Sequence, residues 1–274
     1  MALTKAQIRA GAEALVEAEQ TRVYIEPFTL QYDDFTVEDA YAIGQMVTEI
    51  KIAQGRVVKG HKVGLTSKAM REVTGATEPD YGTIWDNWFI DEGTQVSMSA
   101  LNRPAGDNSE RNEPIIEIEM VFVLKHDLGG PHVNAVDVIN ATDYVMPAAE
   151  LCGYRFNRRG KPGVLDSIAD AASCQFIILG GNPLKLTDFD IRHVAGSLYR
   201  NGVVEASGMA TAVMGNPISS VAWLARKLNE FGVTMKAGHI VMSGSFIKAQ
   251  PMAVGDSFVA DYGPLGQISF SIVE

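Results

Sequence analysis

The sequence predicts an α+β fold in which a β-rich core follows a helical N-terminal subdomain. Two observations carry this reading. Apolar residues recur at intervals of three and four through much of the first 58 positions, and from Lys59 onward give way to short apolar runs broken by Gly, Pro, Asn and Asp. Helical and strand patterns are thus segregated rather than alternating, which disfavours βαβ units and a parallel doubly wound sheet. The 274-residue chain divides into a helical part, residues 1–58, and one continuous β-rich unit, residues 59–274, with nothing between them that reads as a linker.

In chain order, the first helix is expected to start near Thr4 and to run from Lys5 to about Glu19. The second runs from Val37 to about Ala53, where Thr36 and the Glu38-Asp39 pair approach a capping box and Gly55 stands at the exit. Strands and hairpins are expected in VVKGHKVGLT, IIEIEMVFVL, FIILGG, SLYRNGVV, HIVMSGSF and DSFVADYGPLGQISFSIVE, with Asn201-Gly202 as a tight turn. Further helices are read from about Asn134 to Ala141 and from Ser219 to Phe231, the latter ending on Gly232. The polar stretch 102–112 has the composition of a loop and reads as a surface insertion, with a lid or a subunit contact as the functional alternative.

Composition narrows the class. With 46% hydrophobic and 20% charged residues the chain can bury a sizeable interior. A formal net charge of −10 and the lack of a Lys/Arg-rich run oppose binding to nucleic acid. The N-terminal segment carries too many charges for a signal sequence or a membrane span. Cys152 and Cys174 show no CxxC or Cys/His spacing, so a reducing cytoplasm is the expected setting. The common phosphate-loop, dinucleotide and HExxH signatures are absent.

The most informative segment is PIIEIEMVFVL. On a strand, Glu117 and Glu119 project from one face, and two parallel carboxylates held together favour a cation between them. From spacing alone a solvated strand edge remains open. Glu150, in apolar surroundings, is a third hard oxygen ligand or else the partner of Arg155. Carboxylates without nearby His or Cys suit Mg²⁺ or Mn²⁺ rather than Zn²⁺. In KGHKVGLTS, Lys62 either balances a substrate carboxylate or is an exposed strand lysine. The rigid EPDYG turn offers Glu78 and Asp80 as acid/base groups, or simply as turn residues.

These residues bring a family into view. The chain resembles the 2-keto-4-pentenoate hydratase and 2-oxo-hept-4-ene-1,7-dioate hydratase branch of the fumarylacetoacetate hydrolase superfamily. The likeness runs nearly end to end, through TVEDAYAI, GHKVGLTSKAM, EPDYGTIWD, PIIEIEMVFVL, NATDYVMPAAEL, DSIADAAS, YRNGVVEASG, NPISSVAWLARKL, AGHIVMSGSF and VGDSFVADYGPLGQISFSI. It implies a β-rich roll as the catalytic core, and Glu117, Glu119 and Glu150 as ligands of Mg²⁺ or Mn²⁺. It further implies that Lys62 and the backbone around Leu65 hold the substrate's carboxylate end, with Asp80 and Ser173 near the reacting chain. Members commonly form homo-oligomers, and a neighbouring pathway enzyme is a candidate partner. The chain departs from the family pattern at Ile116, where an Arg is usual, and at Asp170-Ala171-Ala172, where a DNA-type triplet is usual; substrate details depend on such positions.

The activity the resemblance implies is hydration of a 2-hydroxy-2,4-dienoate to a 4-hydroxy-2-oxo acid in meta-cleavage catabolism of aromatic compounds. Its nearest rival is decarboxylation of a 2-oxo-3-enedioate of the 4-oxalocrotonate type, and a third reading is hydrolysis of a 1,3-diketone acid, for which no His or Glu dyad is visible. From outside enzymes altogether, a non-catalytic subunit that binds a partner enzyme is disfavoured by the intact acids and Lys62.

Overall fold

The computed structural model describes residues 2–101, 114–157 and 160–274; the 102–112 stretch lies outside the described residues. The chain opens with helices α1 (Lys5–Thr21), α2 (Phe28–Gln31) and α3 (Val37–Ala53), then enters β1 (Val58–Gly64), α4 (Lys68–Thr74), β2 (Asp80–Trp85), β3 (Phe89–Ile90) and β4 (Gln95–Ser97). There follow β5 (Ile115–Leu124), α5 (Ala135–Ala141), β6 (Thr142–Cys152), α6 (Val164–Ala169), β7 (Cys174–Leu179), β8 (Ala195–Arg200) and β9 (Val203–Met209). The chain closes with α7 (Pro217–Glu230), β10 (Ile240–Met242), β11 (Gln250–Pro251), β12 (Ser257–Asp261) and β13 (Gln267–Val273).

Local chemistry explains the helix starts. Thr4 caps α1 and Thr36 caps α3, each accepting from the third helical N–H while that residue's side chain reaches back to the cap N–H. Asn216 caps α7 by accepting from the Ile218 N–H, and Pro217 occupies the first turn, where no donor is lost. Among the described residues no helix is long and apolar enough to cross a membrane.

The strands form two mixed sheets. One runs β2-β1-β10-β5-β6-β7-β3, with β11 also paired to β5, and the other runs β4-β13-β12-β8-β9. Leu15, Phe28, Tyr41 and Ile43 of the N-terminal helices share one apolar cluster with Ile116, Ile118 and Phe122 of β5 and with Phe258 and Phe270 of the second sheet. The helices therefore seal the same interior that the sheets enclose. The architecture is α+β, as the segregation of patterns predicts.

Four elements differ from the sequence reading. β6 was not expected as a strand, because Pro147 and the Ala-Ala-Glu run argue against one. Pro147 is tolerated where it sits: its partner Met120 is bonded on its other side to Ser243, and pairing of β6 with β7 starts only at Ala148. Asp80 opens β2 rather than standing in a turn. Helices α4 and α6 are too short to show a helical period.

One close approach fixes the β1–β10 pairing. At Gly60, φ is +154° and an added Cβ would lie 1.9 Å from the Ile240 carbonyl oxygen. Gly60→Ala is therefore expected to lower stability by more than about 3 kcal/mol or to prevent folding, as read by urea unfolding; a loss below about 1 kcal/mol would show that the two strands separate easily.

Candidate active site

The site begins with sheet register. Glu117 and Glu119 lie on one face of β5, and Glu117 stands directly opposite Glu150 in the β5–β6 ladder. Glu150 and Cys152 share a face of β6 in the same way. From β1, Lys62 reaches the same place: its Nζ is 2.9 Å from Glu150 Oε1 and donates to the Ala172 carbonyl at 2.9 Å. Lys62 is 3% exposed and Glu150 fully enclosed. Lys62 is thus no surface lysine, and Glu150 pairs with it rather than with Arg155.

Asp80, paired with Gly64 across β1 and β2, is buried, and its Oδ2 accepts from the Ser167 hydroxyl at 3.2 Å. A Cβ at Gly64 would fall 2.2 Å from Asp80 Oδ1, so glycine is what lets the carboxylate lie against β1. Glu78 points elsewhere, into an ion pair with Lys227 at 2.9 Å. Leu65 has a left-handed backbone (φ 53°), and Arg71 Nη1 donates to the Leu65 and Thr66 carbonyls, each at 2.8 Å.

Among the described residues, buried Asp80 Oδ1, Glu119 Oε1 and Glu150 Oε2 accept from no donor. Glu119 Oε2 accepts from the Gly244 N–H at 2.8 Å. The site therefore holds more carboxylate acceptors than protons to satisfy them, and its acid strengths reflect that. Burial, then Glu150, raises Glu117 to about 7. Burial, then Glu150 and Glu117, lifts Glu119 well above the usual range. Burial also raises Asp80, against the pull of Lys62. Burial works against the Lys62 ammonium, but Glu150, Cys152 and Glu117 outweigh it and hold the group well above its ordinary value.

This arrangement fits a divalent cation. Ligand atoms of Glu117, Glu150 and Cys152 lie within 4.8 Å of one another. Of the acids expected to share an ion, Glu117 and Glu150 come together; Glu119 lies on their face, but its carboxylate falls outside that tight group. The sequence reading missed Cys152, whose spacing from Glu150 signals a shared face only once β6 is read as a strand. It also missed Ser167, on a helix too short to detect.

Beside Lys62 the backbone is unusual. Ala171, Ala172 and Ser173 all have φ between 49° and 63°, a left-handed run that disfavours side chains bearing a Cβ. Arg155 holds both ends of it. Its Nε and backbone N–H donate to the Asp170 carboxylate, Nη2 donates to the Asp170 carbonyl at 2.7 Å, and Nη1 donates to the Cys174 carbonyl at 2.9 Å. Ser173 itself follows the carbonyl that receives the Lys62 ammonium, and its N–H closes the turn on Asp170 O at 2.9 Å.

Arg155→Met should release this turn and strand a buried Asp170, costing about 3–5 kcal/mol of stability. Urea unfolding measures this, and a cost below about 1 kcal/mol would mean that the turn holds itself.

No family model matches the chain. It is 41% identical over 267 residues to 2-oxo-hept-4-ene-1,7-dioate hydratase from Escherichia coli, covering 96% of each chain. Its fold matches the solved 4-oxalocrotonate decarboxylase from Pseudomonas putida G7, complexed with magnesium and adipate, at TM-score 0.92 and 34% identity over 99% of both chains. At the level of fold alone it also matches a protein assigned to the fumarylacetoacetate hydrolase family from Yersinia pestis CO92, with TM-score 0.58 and 20% identity over 79% of this chain and 94% of that one. The chain belongs to the family of 2-oxo-hept-4-ene-1,7-dioate and 2-keto-4-pentenoate hydratases, and its fold is that of the fumarylacetoacetate hydrolase family protein.

Proposed function

We propose that the protein is a divalent-cation-dependent hydro-lyase that adds water to a 2-hydroxy-2,4-dienoate, through its 2-oxo-3-enoate tautomer, to give a 4-hydroxy-2-oxo acid in aromatic catabolism. The observation that carries this reading is the buried Lys62–Glu150 pair beside carboxylate oxygens that lack donors. Glu117, Glu119 and Glu150 would hold Mg²⁺ or Mn²⁺, both hard cations suited to carboxylates. When bound, the cation supplies positive charge to the substrate carboxylate and C2 oxygen and so stabilises negative charge on that oxygen.

The chain's own residues divide the remaining work. Lys62, fixed by Glu150 and the Ala172 carbonyl, presents a permanent positive charge to the carboxylate end of the substrate, with the Leu65 backbone alongside and Ser173 near the reacting chain with Asp80. Asp80 keeps one oxygen on Ser167 and the other without a donor, and burial makes it hold a proton more tightly than a free carboxylic acid does, which suits it to carry one. In the first step the C2 hydroxyl proton is lost and C5 gains one, giving the 2-oxo-3-enoate. In the second, water adds its oxygen to C4 while C3 takes a proton, so that the sum is substrate plus water. Asp80 is the proposed proton carrier. The proposal also makes the protein a homo-oligomer and places it in the cytoplasm, a reducing compartment in keeping with its two free, buried cysteines.

Decarboxylation of a 2-oxo-3-enedioate is the second reading, favoured by the similarity to the decarboxylase from Pseudomonas putida G7. One assay separates the two. Metal-loaded protein is incubated with 2-hydroxypenta-2,4-dienoate, 2-hydroxyhepta-2,4-diene-1,7-dioate and 2-oxohex-3-enedioate, and products are identified by mass. Gain of water by either dienoate is the expected result; loss of carbon dioxide from the enedioate without hydration would select the second reading.

Asp80→Asn should lower kcat far more than it weakens substrate binding, because Lys62 and the cation held by the acids would still hold the carboxylate and C2 oxygen. An unchanged kcat per folded molecule would remove Asp80 from the chemistry. Lys62→Met should abolish most turnover and also cost about 3–5 kcal/mol by stranding Glu150. Measuring turnover and urea unfolding on one sample checks both effects, and normal turnover in the surviving folded fraction would make Lys62 purely structural.

A further inference from the structure

The tightest ligand group in the site contains a cysteine, which hard-cation chemistry does not require. Cys152 is 3% exposed, and its Sγ lies 3.5 Å from Glu150 Oε1, toward which it donates. The thiol, an oxygen of Glu117 and an oxygen of Glu150 lie within 4.8 Å of one another, whereas Glu119 is drawn aside by the Gly244 N–H. Glu150 Oε2, enclosed in the same place, accepts from no donor among the described residues. One sulfur and two carboxylate oxygens around a zinc-sized ion at tetrahedral angles stand roughly 3.5 Å apart, so small side-chain rotations close the group on one ion.

We infer that this centre has a second binding mode, in which Glu117, Glu150 and Cys152 take a thiophilic divalent cation such as Zn²⁺, Co²⁺ or Cd²⁺ with Cys152 as a thiolate ligand. The inference rests on the cation site proposed above but concerns a different ligand set. Charge supports it. Two carboxylates and one thiolate balance a divalent ion together with the Lys62 ammonium, so the enclosed set is neutral overall. Glu117, Glu119 and Glu150 around a hard cation give the same neutral sum. Changing from hard to soft metal exchanges Glu119 for Cys152, and the released Glu119 keeps its hydrogen bond from the Gly244 N–H. Binding replaces the Sγ–H bond by an Sγ–metal bond and the proton passes to solvent, with no oxidant or reductant involved. Because Glu117 and Glu150 belong to both sets, a thiophilic ion displaces Mg²⁺ and inhibits.

Cys174 provides the control. It stands opposite Cys152 in the β6–β7 pairing, is also a free thiol and also lies against the Glu150 carboxylate, but it is not a member of the ligand group. Reduced, metal-free protein is titrated with Co²⁺, and the near-ultraviolet absorption that marks thiolate-to-cobalt charge transfer is recorded. The band is expected in the unaltered protein and in Cys174→Ala, and is expected to vanish in both Cys152→Ala and Cys152→Ser, with folding checked by circular dichroism. Calorimetry should show Cd²⁺ affinity lost in the Cys152 variants while Mg²⁺ affinity stays unchanged. Co²⁺ binding without the band, or a band that follows Cys174, overturns the thiolate mode and leaves the Mg²⁺ site standing. Failure of both Co²⁺ and Mg²⁺ to bind overturns the cation site, and the thiolate mode with it.

Discussion

The Lys62–Glu150 ion pair is the contact on which the rest of the site depends. An ammonium and a carboxylate removed from water lose solvation worth several kcal/mol each, and their attraction offsets this only when geometry and further hydrogen bonds are good. Here β1 and β6 bring the two groups to 2.9 Å, and the Ala172 carbonyl takes another of the ammonium's protons. The single ammonium does not balance the several carboxyls around it. Glu117, Glu119 and Asp80 all hold their protons more tightly than free acids do. A site arranged in this way is short of positive charge, which is what a divalent cation supplies.

The pair would be of little use if its surroundings could drift, and the left-handed turn after Asp170 is where drift is opposed. Ala172 offers its carbonyl to Lys62 from a backbone conformation that an alanine disfavours, so something outside the turn must maintain it. Arg155 does so from the far side by bonding to Asp170 and Cys174, the residues flanking the turn. Two buried ion pairs therefore hold one short segment, Arg155–Asp170 at its two ends and Lys62–Glu150 through the Ala172 carbonyl between them. Helix α6, which carries Ser167 to Asp80, runs directly into that segment, so the proposed proton carrier and the proposed carboxylate anchor share one support.

Much of this was legible in the sequence. The α+β class follows from the segregation of helical and strand periods, and the shared face of Glu117 and Glu119 follows from strand geometry alone. What was hidden is instructive. Lys62 in a Gly-punctuated strand looks the same whether it faces solvent or a buried acid, because burial is decided by elements distant in sequence. Strand β6 was obscured by Pro147, whose lack of an N–H is harmless only because the ladder to β7 has not yet begun there. With β6 unread, Cys152 could not be seen beside Glu150, and Arg155 was left as the nearest partner for that acid. The resemblance to a known family supplied the ligand trio, but it could not show that Glu119 stands slightly apart from the other two.

Hydration and decarboxylation can share this framework for a simple electrostatic reason. Both draw electron density toward the C2 oxygen of a 2-oxo acid, so both need the same concentration of positive charge at one end of the substrate. They differ at the other end, where one reaction must deliver protons and water to carbon and the other must let a carboxylate leave as neutral carbon dioxide. The shared end is built here from sheet residues and buried ion pairs, which resist change because a misplaced charge is costly. On the proposed reading, the end where the reactions differ would be approached by Asp80, by Ser167 and by a turn whose side chains are small. Divergence between the two activities therefore needs no change in the Lys62–Glu150 pair, and a high overall similarity to both kinds of enzyme follows from the physics of the part they have in common.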